Sequence, residues 1–195
     1  MVYFKRIKDI LEKGLQVLIL LPEIALTNQF SRKFKEFFGT EPAIWHSGTT
    51  KKNKSIIWKG ITEGKIKIVV GARSSLFLPF KNLGIIIVDE EHDASYKQDE
   101  GVSYNARDMA ITRASLENIP INLVTSIPSI ETYNNIVNNK YYITKLNKRY
   151  KEAPLPNVEI INLNSESLNK DSWIANKTIN KVCLLYTSPS PRDRG

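Results

Sequence analysis

The sequence is poor in cysteine: Cys183 stands alone among 195 residues. One thiol closes no disulfide and builds no zinc cluster, so neither kind of scaffold organises the chain. No apolar run approaches the roughly 20 residues that a membrane-spanning helix needs. The opening residues, Met1-Val2-Tyr3-Phe4-Lys5-Arg6, lack the apolar core and cleavage site of a signal peptide. No internal repeat is visible. These absences point to a cytoplasmic protein with no membrane partner. What is present is the composition of a soluble globular domain, 42% hydrophobic and 25% charged. The length suits one α/β domain, or one domain and the start of another. The net charge of +8 favours a polyanionic partner, although a merely lysine-rich composition would give the same figure.

The most informative stretch is Gly84-Ile85-Ile86-Ile87-Val88-Asp89-Glu90-Glu91-His92. A short, uninterrupted apolar run bounded by glycine and charge reads as a strand buried on both faces. Three carboxylates at its end repel one another unless a cation sits among them or water reaches them. In open α/β sheets, ligands bind at the carboxyl ends of the strands. A buried strand that delivers Asp-Glu there is a Walker-B arrangement, in which Asp89 holds Mg²⁺ and Glu90 acts on the attacking water. The plainer alternative is a core strand followed by an acidic turn.

Around that strand, strands and helices alternate. A helix over residues 2–13 carries Phe4, Ile7, Ile10 and Leu11 and stops at Gly14. Residues 16–21 read as a buried strand closed by Pro22. A helix follows, with Ile24, Phe30, Phe34, Phe37 and Phe38 facing the core. Residues 43–46 and 67–71 read as strands flanking a basic helix over 51–63, with Ile56, Ile57 and Ile61 inward. Residues 106–117 and 129–138 read as helices around a strand at 121–124. Such alternation implies right-handed crossovers and a mostly parallel sheet. Beyond Lys140 the rhythm breaks. Residues 141–144 and 158–161 are strand candidates, 151–172 a connecting segment with polar residues from 163 on, and 173–182 the start of another element.

Several strings occur in one order: Leu21-Pro22-Glu23-Ile24-Ala25-Leu26-Thr27, His46-Ser47-Gly48, Gly71-Ala72-Arg73-Ser74-Ser75-Leu76-Phe77, Asp89-Glu90-Glu91-His92-Asp93-Ala94-Ser95-Tyr96-Lys97-Gln98, and Tyr104-Asn105-Ala106-Arg107-Asp108. Together they resemble the replication-restart helicases of the primosomal protein N′ family, in helicase superfamily 2, across about residues 2–182. The resemblance implies a RecA-like first helicase lobe over 1–150 and the start of a second lobe at 173–182. It implies an ATP-driven 3′-to-5′ DNA helicase that uses Mg²⁺. Its partners would be single-stranded and forked DNA, primosome proteins and single-strand binding protein. Asp89, Glu90 and Glu91 would meet MgATP, with Asp89 on the metal through water. Glu90 would be catalytic, and His92 would link the nucleotide to the DNA site. Pro22, Glu23, Thr27, Gly71, Arg73, Ser74, Tyr96, Lys97 and Tyr104 would lie on DNA. Thr125, Ser126 and Pro128 would couple hydrolysis to unwinding.

The residue types suit those roles. Hydroxyls at strand ends are donors for phosphate oxygens. Arg73 would make binding depend on salt, and tyrosines beside lysines stack bases without regard to sequence. Other readings stand beside these. Arg73 is also an ordinary surface arginine, Tyr96 and Tyr104 also fit the edge of the core, and His46 suits a structural role better than a catalytic one.

The sequence also departs from the family. It contains no Gly-x-x-x-x-Gly-Lys-Ser/Thr loop, which in the family precedes the segment matching Val2-Tyr3-Phe4. Zinc-binding cysteines are expected only in a second lobe. Ile127 stands where the family has threonine, and Asn105 where it usually has histidine. Residues 183–195 read as a translated sequencing adapter rather than native chain. A polypeptide of this sequence alone is expected to hydrolyse no ATP. The competing functions are a non-catalytic single-strand-binding fragment and another superfamily 2 DNA translocase.

Overall fold

The computed structural model describes residues 2–22, 28–99, 101–146, 158–163 and 174–187. Among them no helix is long and apolar enough to cross a membrane. The chain divides into two compact units, Met1–Ile143 and Thr144–Gly195.

In the first unit, helix α1 (Phe4–Glu12) buries Phe4, Ile7 and Ile10 along one stripe. It ends before Gly14, whose φ of 75° is the left-handed geometry that closes helices. Strand β1 (Gln16–Leu20) is buried at every position. Then come α2 (Asn28–Phe38), β2 (Ala43–Trp45), α3 (Lys51–Thr62), β3 (Ile68–Gly71) and β4 (Leu83–Asp89). A small antiparallel hairpin of β5 (Lys97–Gln98) and β6 (Tyr104–Asn105) precedes α4 (Ala106–Leu116), β7 (Ile121–Val124) and α5 (Ile130–Val137).

Five strands form one parallel sheet in the order β2-β3-β1-β4-β7. Period-two alternation sends side chains to opposite faces. Leu18, Leu20, Val69, Ile86 and Val88 pack with Ile57 and Ile61 of α3 and Ala106, Ala110 and Ala114 of α4. Val17, Ile19, Val70, Ile85 and Ile87 pack with α1 and with Phe30 and Phe34 of α2. Helices on both faces make the apolar runs of β1 and β4 continuous. This is the RecA-like lobe that the sequence implied, and its parallel order puts the ends of β1, β3, β4 and β7 along one edge.

Some expectations fail. Ile56 is 57% exposed. It lies about 100° around the helix from Ile57, whereas Ile57 and Ile61, four apart, share the buried face. Phe37 is 51% exposed, because Phe30 and Phe34 already fill the inward stripe. No strand forms at 141–144 or 158–161. The sheet ends at β7, and a β-branched run becomes a strand only against a neighbour.

In the second unit, α6 (Asn176–Thr187) runs past Val182 into the residues that read as adapter. Lys177 and Lys181, one turn apart, both pair with Glu159. Their hydrogen bonds hold its carboxyl down at about 2. Ile24, most of the 151–172 connection, Trp173 and residues 188–195 lie outside the described residues.

Candidate active site

Asp89 closes β4 at the carboxyl edge of the sheet, opposite Val124 of β7. Its carboxylate is held from two sides. The Tyr3 hydroxyl donates to Oδ2 at 2.7 Å, and the Glu90 amide donates to Oδ1 at 3.1 Å. Its backbone carbonyl accepts from the Tyr96 hydroxyl at 2.6 Å, and that hydroxyl also lies 3.0 Å from the carbonyl of Leu20, at the end of β1. One phenol therefore bridges the ends of two central strands. Burial, and then the charge of Asp89, push both tyrosine hydroxyls well above their usual range, so both stay protonated donors.

Glu90 has φ 49°, a left-handed conformation uncommon for a residue with a side chain. Backbone strain of this kind clusters at functional sites. Its consequence is a parting of carboxylates. Glu90 stays exposed, whereas Glu91, whose amide donates to the Val124 carbonyl at 3.1 Å, is 1% exposed. Glu91, expected beside MgATP, is instead turned into the protein, where backbone and side-chain donors occupy it. Its Oε1 accepts from the Ser129 amide at 2.7 Å. Its Oε2 accepts from the hydroxyls of Ser129 and Thr132, both at 3.0 Å, and from Arg107 at 3.3 Å. The cation demanded by three adjacent carboxylates is, for Glu91, a guanidinium.

His92 Nδ1 lies 2.7 Å from the Thr125 hydroxyl. The same hydroxyl lies 2.7 Å from the Ile127 carbonyl, so Thr125 joins His92 to the backbone of the segment after β7. The Ile127 side chain is 72% exposed and takes no part in this chain of bonds. Ser126 is exposed and Pro128 half-buried beside it.

The residues expected on DNA do not share one environment among the described residues. Glu23 and Thr27 lie outside the described residues. Pro22 and Gly71 are buried. Gly71 is required by packing, since a Cβ there would collide with the Trp45 carbonyl and Ser75. Arg73 donates to the Lys97 carbonyl at 2.6 Å, and Ser74 is exposed. Lys97 pairs with Asp99 at 3.0 Å. Tyr104 meets the exposed Phe77 edge to face, with ring centroids 5.5 Å apart. Tyr96 is 1% exposed, so its ring offers no face to a base; it belongs to the core and to Asp89. A cleft of about 120 Å³ between Leu21, Ala72, Arg73, Ser95 and Tyr96 opens among these strand ends. His46 accepts from the Gly48 amide at 3.1 Å, a structural bond.

Tyr3, Arg107, Ser129 and Thr132 were not singled out from sequence. The one available signal was the unbalanced charge of Asp89-Glu90-Glu91, which calls for a cation.

A magnesium ion bound with a nucleotide needs one or two carboxylates, the remaining positions going to phosphate and water oxygens. Asp89, an oxygen donor already oriented by two hydrogen bonds, with Glu90 exposed next to it, fits that requirement. No cluster of three metal-ligating side chains occurs among the described residues, and this mode of binding needs none.

The sequence matches the DEAD/DEAH box helicase family over residues 1–132, well over half of its length, and the chain belongs to that family. Its curated relatives are narrower in name. Replication restart protein PriA of Rickettsia conorii is 52% identical over 181 residues, which are 93% of this chain and 28% of that protein. PriA of Bacillus subtilis is 38% identical over 168 residues, 86% of this chain and 21% of that protein. PriA of Haemophilus influenzae is 41% identical over 167 residues, 86% and 23% respectively. The chain thus spans between about a fifth and just over a quarter of these relatives.

Proposed function

We propose that this chain contributes the first lobe of an ATP-dependent 3′-to-5′ DNA helicase that acts in replication restart. The observation that carries the reading is the strand-end triad, with Asp89 oriented by Tyr3, Glu90 exposed on a left-handed turn, and His92 bonded to Thr125. The relatives' shared name supports restart in particular.

In this reading Asp89 holds Mg²⁺, and the metal supplies charge neutralisation on the phosphates of ATP. Glu90 orients the attacking water and takes its proton. His92 passes the state of that site to Thr125, Ser126 and Pro128. Arg73, Ser74, Lys97 and Tyr104 track a single strand, with Pro22, Glu23, Thr27 and Gly71 shaping the backbone beside it. The partners are single-stranded and forked DNA, with primosome proteins and single-strand binding protein, in the cytoplasm. Residues 151–172 connect the lobe to a second one beginning at 173–182, and 183–195 are foreign to it.

The test is ATP turnover by the protein at the length of its relatives, with and without single-stranded DNA. Turnover should rise with DNA and be lost in Glu90→Gln. Binding to single strands should weaken with salt, and should weaken again in Arg73→Ala and Lys97→Ala. DNA binding with no effect of nucleotide would instead favour a non-catalytic binding protein.

A further inference from the structure

Arg113 of α4 has a side chain only 19% exposed, and it reaches the turn that follows β3. That turn is a short 3₁₀ segment, Arg73–Phe77. The sheet fixes its start. The Ala72 amide donates to the Trp45 carbonyl at 3.1 Å, and the amide and hydroxyl of Ser75 donate to the Ala72 carbonyl at 2.9 and 2.6 Å. Its end has no such support from itself, because the last carbonyls of a helical turn lie beyond the reach of its own amides. Leu76 and Leu78, at that end, are each 1% exposed, so their carbonyls need donors from the protein.

One terminal nitrogen of Arg113 supplies them. It donates to the Leu76 carbonyl and, at 3.1 Å, to the Leu78 carbonyl, which also accepts from the Phe80 amide at 3.0 Å. The guanidinium is itself held in place. Nε donates to Glu117, one turn further along the helix, at 2.7 Å, and the guanidinium carbon lies 5.5 Å from the centre of the Phe80 ring. The charge of Arg113 is thus occupied within the protein. The turn it supports carries exposed groups: Ser74 and Phe77 face solvent, and Arg73 is half-buried.

We infer that Arg113 is a positioning residue for single-strand binding: it braces the turn Arg73–Phe77 and does not itself touch nucleic acid. The inference rests on the helicase reading above, in which Arg73 and Ser74 meet the strand. A turn ordered before the strand arrives costs less to bind than one that binding must order. Lysine cannot replace Arg113. An ammonium keeps the charge but not the rigid fork that puts one nitrogen on two carbonyls while Nε stays on Glu117.

The experiment is a double-mutant cycle on the 195-residue chain, with a fluorescent single-stranded oligothymidylate as the probe. Arg113→Lys should weaken binding about tenfold while Arg73 and Ser74 are intact. In a background of Arg73→Ala with Ser74→Ala, the same change should shift binding by less than about twofold, because the contacts that the brace serves are gone. A direct phosphate contact by Arg113, or a general loss of fold, weakens both backgrounds alike, so equal losses overturn the inference. Wild-type affinity in Arg113→Lys overturns it too. A second measurement does not depend on DNA: hydrogen exchange at the Leu78 amide, which donates to the Ser75 carbonyl at 3.2 Å. Exchange there should quicken about tenfold in Arg113→Lys while the amides of β1 stay as in wild type. Unchanged exchange at Leu78, or equal quickening in β1, overturns the brace. If wild type does not bind the oligonucleotide, the DNA reading of this turn falls and takes the positioning role with it, while the exchange result still decides whether the brace exists.

Discussion

The Tyr3 hydroxyl and the Asp89 carboxylate, 86 residues apart in sequence, meet at 2.7 Å. The bond ties the start of α1 to the end of β4 and holds the carboxylate in place at the carboxyl edge of the sheet. With Tyr96 on the Asp89 carbonyl, two buried phenols secure one residue.

Those phenols predict the alkaline stability of the fold. Both hydroxyls are raised above the ordinary tyrosine value of 10.0. A raised acid favours its protonated form in the folded state. Its contribution is therefore complete below the unfolded value and is lost as pH rises above it. Each tyrosine should remove up to about 1.4 kcal/mol per pH unit above about 10. Urea unfolding followed from pH 9 to about 11.5 should show the decline, and Tyr3→Phe should make it shallower. A decline unchanged in Tyr3→Phe would mean that Tyr3 ionises freely in the fold.

The two phenylalanines of α2 should separate sharply. Phe34 is 0% exposed and Phe37 is 51% exposed. Phe34→Ala should cost about 3–5 kcal/mol through lost burial and a residual cavity. Phe37→Ala should cost about 1 kcal/mol. Denaturant midpoints at constant m-value measure both, and similar losses would contradict the packing described.

Gly71→Ala should destabilise the end of β3. A Cβ there has no room between the Trp45 carbonyl and Ser75. The cost expected for overpacking is about 1–3 kcal/mol. A melting temperature equal to that of wild type would show that β2 yields without penalty.

The 195-residue polypeptide, expressed as it stands, should release no phosphate from ATP, with or without single-stranded DNA. Its sequence holds no glycine-rich loop with lysine to cradle the phosphates. Steady turnover that disappears in Glu90→Gln would refute this and would show that other groups bind the phosphates.

The sequence by itself determined the parallel sheet. Runs such as Val17-Leu18-Ile19-Leu20 and Ile85-Ile86-Ile87-Val88 have no polar face, so they had to be covered on both sides, and the helices between them supplied the cover. It also placed Asp89 and Glu90 at a strand end, because a charge cannot extend a doubly buried run. The tertiary structure decided what each neighbouring side chain does there. Glu90 and Glu91 are adjacent carboxylates, and only the left-handed turn at Glu90 sends one to solvent and the other into the core. That turn is stable because Arg107, 16 residues on, and Ser129, 38 residues on, wait to receive Glu91. Tyr96 looked like a base-stacking ring and became a core hydrogen-bond donor for the same reason: its partners, Leu20 and Asp89, are brought together by strand order. Periodicity is local and survives in the sequence. The partner that completes a buried charge or hydroxyl comes from elsewhere in the chain, and only the fold delivers it.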